Sequence, residues 1–397
     1  MRNLIIILLI IMVSSCDRVS QDAVTGVTTL DTTTASCPNI TKDAQGNFVI
    51  SYVRSINDST HEFCYAISKD AGKTFGDPIV VKGSNTVFPH NENLPKIIFK
   101  PSGEIIAVWG AKNPNPKNKY SGLVYYTSSR DNGQSWTEVQ PLVKDTASFD
   151  QRYFDVALMP NGEAAIIWLD NRKTVEKDGS ALYFSTTHAD HGFMGEQLIS
   201  QPTCQCCRTD LYVDKKGNVH VLYRGIIQDS IRDMLHMVST DAGKTFSAPQ
   251  TISKDNWVIY GCPHTGPAQV ANDYGMHFAW FTGGKVKGTF YNNTTDMGAS
   301  FTPRDSISEK GMHPQITSFS DGKLGIVYDA SKDTATRQIY LQIRDPKGKL
   351  ISNESITSQT SISSYPVAST DQHDNLLIAF TIKEGKRTRV AYRAERP

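Results

Sequence analysis

The chain has 397 residues, with 41 Lys and Arg against 40 Asp and Glu, a formal net charge of +1 and 39% hydrophobic residues. That length and apolar content are enough to bury a large core. The even charge balance provides no basic footprint, so a nucleic-acid partner is not expected.

Met1-Arg2-Asn3 is a short basic start, and Leu4 to Val13 is an unbroken apolar run of ten residues. A membrane-spanning helix needs roughly 20, so the run suits the core of a signal peptide. Val13-Ser14-Ser15-Cys16 resembles a bacterial lipobox, in which the cysteine is lipidated. Residues 1–15 are expected to be a lipoprotein signal peptide, Cys16 the lipidation site and residues 16–23 a tether. The alternative is an ordinary signal peptide with Cys16 uninvolved. No later stretch is long and apolar enough to cross a bilayer. The remainder is therefore expected in the bacterial cell envelope, facing the periplasm or the exterior.

Residues 24–397 read as one repetitive domain. Cys37-Pro38-Asn39-Ile40 leads through Gly46 to Phe48-Val49-Ile50-Ser51-Tyr52, and Leu94-Pro95-Lys96-Ile97 leads through Gly103 to Ile105-Ile106-Ala107-Val108-Trp109. The same unit recurs around Gly162, Gly217, Gly275, Gly322 and Asn375, roughly 47 to 59 residues apart, a period that signals an array or a propeller. Alternating apolar residues between turn formers predict strands, and no convincing amphipathic helix occurs. Each unit supplies four strands: one begun near Pro, one ending in Trp or Tyr, one entering a polar turn, and a short one such as Pro78-Ile79-Val80-Val81.

The polar turn has a motif of its own. Ser68-Lys69-Asp70-Ala71-Gly72-Lys73-Thr74-Phe75 returns as Ser129 to Trp136, Ser239 to Phe246 and Thr294 to Phe301. The carboxylate can accept N–H groups of its own turn, Gly permits positive φ, and the aromatic has an apolar face to bury. This pattern resembles the Asp box (BNR repeat) of bacterial sialidases and other β-propellers. The resemblance implies a structural corner on the face away from a site. The expected fold is an all-β propeller of seven four-stranded antiparallel blades, with six, the number in many sialidases, as the alternative. The last unit ends at Tyr392-Arg393 after three strands. Val24 to Leu30 is expected to supply the fourth and close the ring, in a monomer.

In such a blade the loops between strands 2 and 3, and those leading from one blade to the next, share the face opposite the Asp boxes. Arg54, Arg152, Arg172, Arg208 and Arg224 fall there. Converging guanidinium forks bind carboxylate or sulfate strongly, so Arg152, Arg172, Arg208 and Arg224 are candidate ligand-binding residues. His90, His264 and His313, each shortly before the first strand of a blade, join them. The sialidase resemblance implies an arginine triad, a Tyr nucleophile, a partner Glu and an acidic Asp. The candidates are Asp150 or Asp170 as acid, Tyr153 or Tyr260 as nucleophile and Glu92 as partner. The Arg-Ile-Pro motif of sialidases is missing at Cys37-Pro38-Asn39-Ile40, so no triad transfers residue by residue.

Setting Cys16 aside leaves six cysteines, an even number for which disulfides are expected in an oxidising compartment. Cys204, Cys206, Cys207 and Cys262 lie in adjacent loops, and a bridge from Cys206 or Cys207 to Cys262 would staple them. A soft metal site using Cys with His264, and His90 or His313, is the alternative, but paired Cys-x-x-Cys units are absent. No cofactor is expected. Three functions stay open: binding of an anionic ligand such as a glycan, exo-glycosidase activity of sialidase type, and an envelope scaffold.

Overall fold

Each of the seven repeats folds as one four-stranded antiparallel sheet. The computed structural model describes residues 26–117, 120–261 and 263–396, so the lipobox, Cys16 and Cys262 lie outside the described residues. Blade 1 starts with strand Ala35–Lys42 and ends with Ile79–Val80; blade 2 runs from Lys96–Phe99 to Gln140–Pro141. Blade 3 runs from Gln151–Leu158 to Phe193–Thr203, and blade 4 from Asp210–Val213 to Gln250–Thr251. Blade 5 runs from Ala268–Asn272 to Asp305–Ser308, and blade 6 from Gly311–Ser318 to Leu350–Ser355. Blade 7 comprises Ser363–Thr370, Leu376–Glu384 and Arg387–Glu395. Its fourth strand is Thr28–Thr29, with Thr28 opposite Tyr392 and Thr29 opposite Ala391. Leu30 N–H extends the pairing to the Val390 carbonyl at 2.9 Å.

Second strands are apolar on both faces because each sheet is covered by a neighbour on either side. Phe48–Ser55, Ala164–Asp170 and Val219–Arg224 are buried over six or more consecutive residues. The aromatics near their ends, Tyr52, Trp109, Trp168, Tyr223, Trp280 and Tyr328, are all buried.

The Asp boxes join blade to blade. In the first, Asp70 accepts Thr74 N–H at 2.8 Å and the Thr74 hydroxyl at 2.6 Å, while Ser68 Oγ accepts Gly72 N–H at 2.8 Å. The same bonds recur at Asp131, Asp241 and Asp296. The box aromatic then packs on the preceding blade: Phe75 on Tyr392, Trp136 on Tyr65 and Phe246 on Phe184, with ring centroids 4.9, 6.5 and 5.2 Å apart.

The opposite end of the inner strands carries a different device. Cys37, Tyr153, His313 and Tyr365 sit at the same point of blades 1, 3, 6 and 7, each at φ between 50° and 59°. Each falls where the register of the first two strands shifts, as in a β-bulge.

Candidate functional site

The candidate arginines do not converge. Arg208 is 5% exposed and donates to Glu92 Oε1 at 3.1 Å and to the carbonyls of Gly266, Pro267 and Pro314 at 3.3, 3.0 and 3.2 Å. Glu92 also accepts Gly266 N–H at 2.6 Å. This pair ties blades 2, 4, 5 and 6 together across the axis. Arg224 is likewise buried, donating to the carbonyls of Arg232, Thr265 and Phe281 and lying 4.8 Å over the Trp257 ring. Arg172 sits among Asp170, Asp145 and Glu196, and Arg54 pairs with Glu62 at 2.8 Å. Arg152 lines a cavity.

That cavity has a volume of about 300 Å³ and lies at the seam of blades 2 and 3. Tyr153 and His90 meet edge to face at 5.6 Å, His264 stands 6.0 Å from His90, and Phe88 and Tyr120 add further rings. Lys112 lies 4.5 Å over the Phe88 ring, and Arg152 lies 5.6 Å over that of Tyr153. Arg152 also pairs with Asp150 at 2.6 Å, and Asp150 accepts Gly122 N–H at 3.0 Å. A Cβ at Gly122 would stand 3.1 Å from Arg152 Cγ, so glycine leaves the arginine its place. Asn93 fixes the floor by accepting Tyr153 N–H at 2.7 Å.

Burial, with the nearby His264 and Arg152, holds His90 down at about 4. Its Nδ1 accepts Glu92 N–H at 3.2 Å, which leaves the proton of the neutral ring on Nε2. Burial pushes the Asp150 carboxyl up against the pull of Arg152. The Tyr153 phenol is also raised, by burial first, which works against its ionisation.

The proposed sialidase set is therefore not assembled. Glu92 is committed to Arg208, and Asp170 is fully buried beneath the Ser148 hydroxyl, the Trp168 indole and Arg172. Tyr260 is 91% exposed. Of the three histidines, His90 and His264 meet in the cavity. His313 instead bonds Asp329 at 2.7 Å and packs on Tyr365 at 4.0 Å, in the seam of blades 6 and 7.

Sequence reasoning missed Phe88, Asn93, Lys112 and Tyr120. Lys112 had a visible signal, since it ends a second strand on the loop face as Arg224 does and as Arg54 nearly does. It also missed a polar axial cavity of about 320 Å³ holding Lys96, Asp155, Asp210 and Gln315. Lys96 and Asp155 form an ion pair there, and Asp155 accepts Leu211 N–H at 2.8 Å. Burial beside Asp155 pushes the Asp210 carboxyl up to about 7.

The two cysteine loops do meet, through Arg208 and Gly266. Among the described residues Cys37, Cys64, Cys204, Cys206 and Cys207 are free buried thiols. The sulfurs of Cys204, Cys206 and Cys207 all lie within 4.8 Å of one another.

Residues 80–258 match the BNR repeat-like domain, which covers the end of blade 1 through blade 4. A search of curated proteins gives no match. Among solved structures the chain is similar to a lectin from Burkholderia pseudomallei, with a TM-score of 0.62, 11% identity, and coverage of 91% of this chain and 96% of that one. It is similar to a protein of unknown function from Dyadobacter fermentans, with a TM-score of 0.55, 15% identity, and coverage of 78% and 96%. A NanB sialidase variant from Streptococcus pneumoniae follows, with a TM-score of 0.51, 13% identity, and coverage of 94% of this chain and 69% of that one. At these identities the likeness is one of fold. Sheet order makes this chain a seven-bladed β-propeller, residues 80–258 of it match the BNR repeat-like domain, and its likeness to sialidases is one of fold.

Proposed function

We propose that the protein is a carbohydrate-binding propeller, and that the cavity between blades 2 and 3 takes a sugar carrying an acidic group. One observation carries this reading: the rings of Phe88, His90, Tyr120 and Tyr153 surround a pocket at which Lys112 and Arg152 provide cations. Apolar ring faces suit the C–H faces of a pyranose, and a few placed polar groups orient the ligand. Asp150 offsets the Arg152 charge, so Lys112 carries the preference for an anion. Burial of Glu92 under Arg208 and the raised phenol of Tyr153 favour binding over hydrolysis. A lipid on Cys16 would hold this face at the cell envelope.

The test is a glycan array probed with the full chain, followed by calorimetry on the sugars retained. Acidic sugars should bind, with affinity lower in Lys112→Ala by about tenfold or more, as the roughly 1.5–3 kcal/mol of a hydrogen bond to a charged group implies. Retention of neutral sugars only, or binding indifferent to Lys112→Ala, would sink the proposal. Release of a fluorogenic sialoside by the native chain, lost in Tyr153→Phe, would replace it with the hydrolase.

A further inference from the structure

The loop leading into blade 4 places three thiols together in a chain that otherwise scatters its cysteines. Cys204, Cys206 and Cys207 are each 2% exposed or less. Cys204 and Cys206 sulfurs are 3.6 Å apart, and all three lie within 4.8 Å of one another. Zinc–sulfur bonds of about 2.3 Å in a tetrahedron set sulfurs roughly 3.8 Å apart. The three are thus already near the spacing of a shared ligand set.

A disulfide suits the trio less well. Consecutive Cα atoms are about 3.8 Å apart, whereas a relaxed disulfide needs about 4.4 Å or more, so Cys206 and Cys207 cannot bridge without distortion. A bridge between Cys204 and Cys206 would strand Cys207.

Charge points the same way. Arg224 is 2% exposed, and its backbone carbonyl accepts Cys204 N–H at 2.9 Å. Its guanidinium hydrogen bonds go to three carbonyls, its Nε has no partner, and it forms no ion pair with a carboxylate among the described residues. Asp233 interacts with it electrostatically without a direct ion pair, and further negative charge nearby would stabilise this buried cation. Three thiolates around a divalent cation supply one net negative charge.

We propose that Cys204, Cys206 and Cys207 form a buried thiolate site for a thiophilic cation, Zn²⁺ or Cu⁺. Binding displaces the thiol protons to solvent and changes no oxidation state. The site lies in the apolar cluster that includes Tyr153, so it would brace the floor of the carbohydrate cavity from below. It stands independently of what that cavity binds.

Full chain isolated under reductant, without chelator, should carry close to one ion per chain, and elemental analysis distinguishes zinc from copper. The stripped protein titrated with Co²⁺ should develop a sulfur-to-metal absorption that saturates at one equivalent. Cys204→Ser should abolish it, and Cys64→Ala should not. Absence of the band in the reduced native chain overturns the proposal, and that result needs no variant to fold. So does a band that survives replacement of all three cysteines, or a disulfide drawn from the trio in metal-free protein isolated without added oxidant.

Discussion

Arg208 donates from two nitrogens to one carboxylate and three carbonyls, all in the interior. Its loss leaves the Glu92 carboxylate buried with Gly266 N–H as its one remaining partner among the described residues. Arg208→Ala should therefore lower unfolding free energy by about 3–5 kcal/mol in chemical denaturation. An unchanged midpoint would show that this pair is not what ties the blades across the axis. Sequence alone could place Arg152, Arg172, Arg208 and Arg224 on one face but not tell their fates. Whether a guanidinium meets solvent or a carbonyl depends on how far its loop dips toward the axis, which no local pattern encodes. The same limit hid Asn93, whose partner Tyr153 lies in a neighbouring blade.

The Asp box is the element most fully legible in the chain, because its chemistry is local. Ser, Asp, Gly and Thr bond one another within five residues, so the spelling is the structure. What spelling did not reveal is that the glycine also makes room for another blade. Gly243 stands at φ 86°, and a Cβ there would approach Phe184 Cε1 to 2.4 Å. Gly243→Ala combines a left-handed backbone, worth roughly 1–2 kcal/mol, with a collision against the preceding sheet. It should cost about 2 kcal/mol or more, read as a lower denaturation midpoint, while Gly103→Ala, with nothing within 4 Å, should cost only the backbone share. Equal losses at the two sites would refute the inter-blade role.

Over the whole molecule, seven repeats and their closure were legible because alternation and turn spacing persist through every unit. The distribution of buried titratable groups was not, since it follows from which faces stack. Burial holds His236 at about 3, with His220 beside it, and His277 at about 4. His90 stands at about 4 for the same first reason. These imidazoles are depressed from an unfolded value near 6.5, so their contribution is complete above about pH 6.5 and is lost as pH falls toward 4. Asp210, raised to about 7, and Asp150 and Asp233, both raised by burial, act in the opposite direction, against five depressed imidazoles once His61 and His220 are added. The urea midpoint should therefore drop between pH 7.5 and 4.5, and His236→Gln should flatten that slope. The Asp-box carboxylates Asp131, Asp241 and Asp296, held at about 2 chiefly by hydrogen bonds within the turn, act only below about pH 4. A midpoint constant over the upper range would contradict the neutral buried histidines.

The pairing of Thr28 with Tyr392 makes the earliest strand wait for the last. During synthesis blades 1 to 6 can form while the outer edge of blade 7 does not yet exist, and Thr28–Thr29 stays unclaimed until the C-terminus emerges. The molecule is then an open arc whose terminal edge could accept a strand from another copy. Two residues from the beginning of the chain decide whether that arc becomes a circle or a link in a chain of arcs.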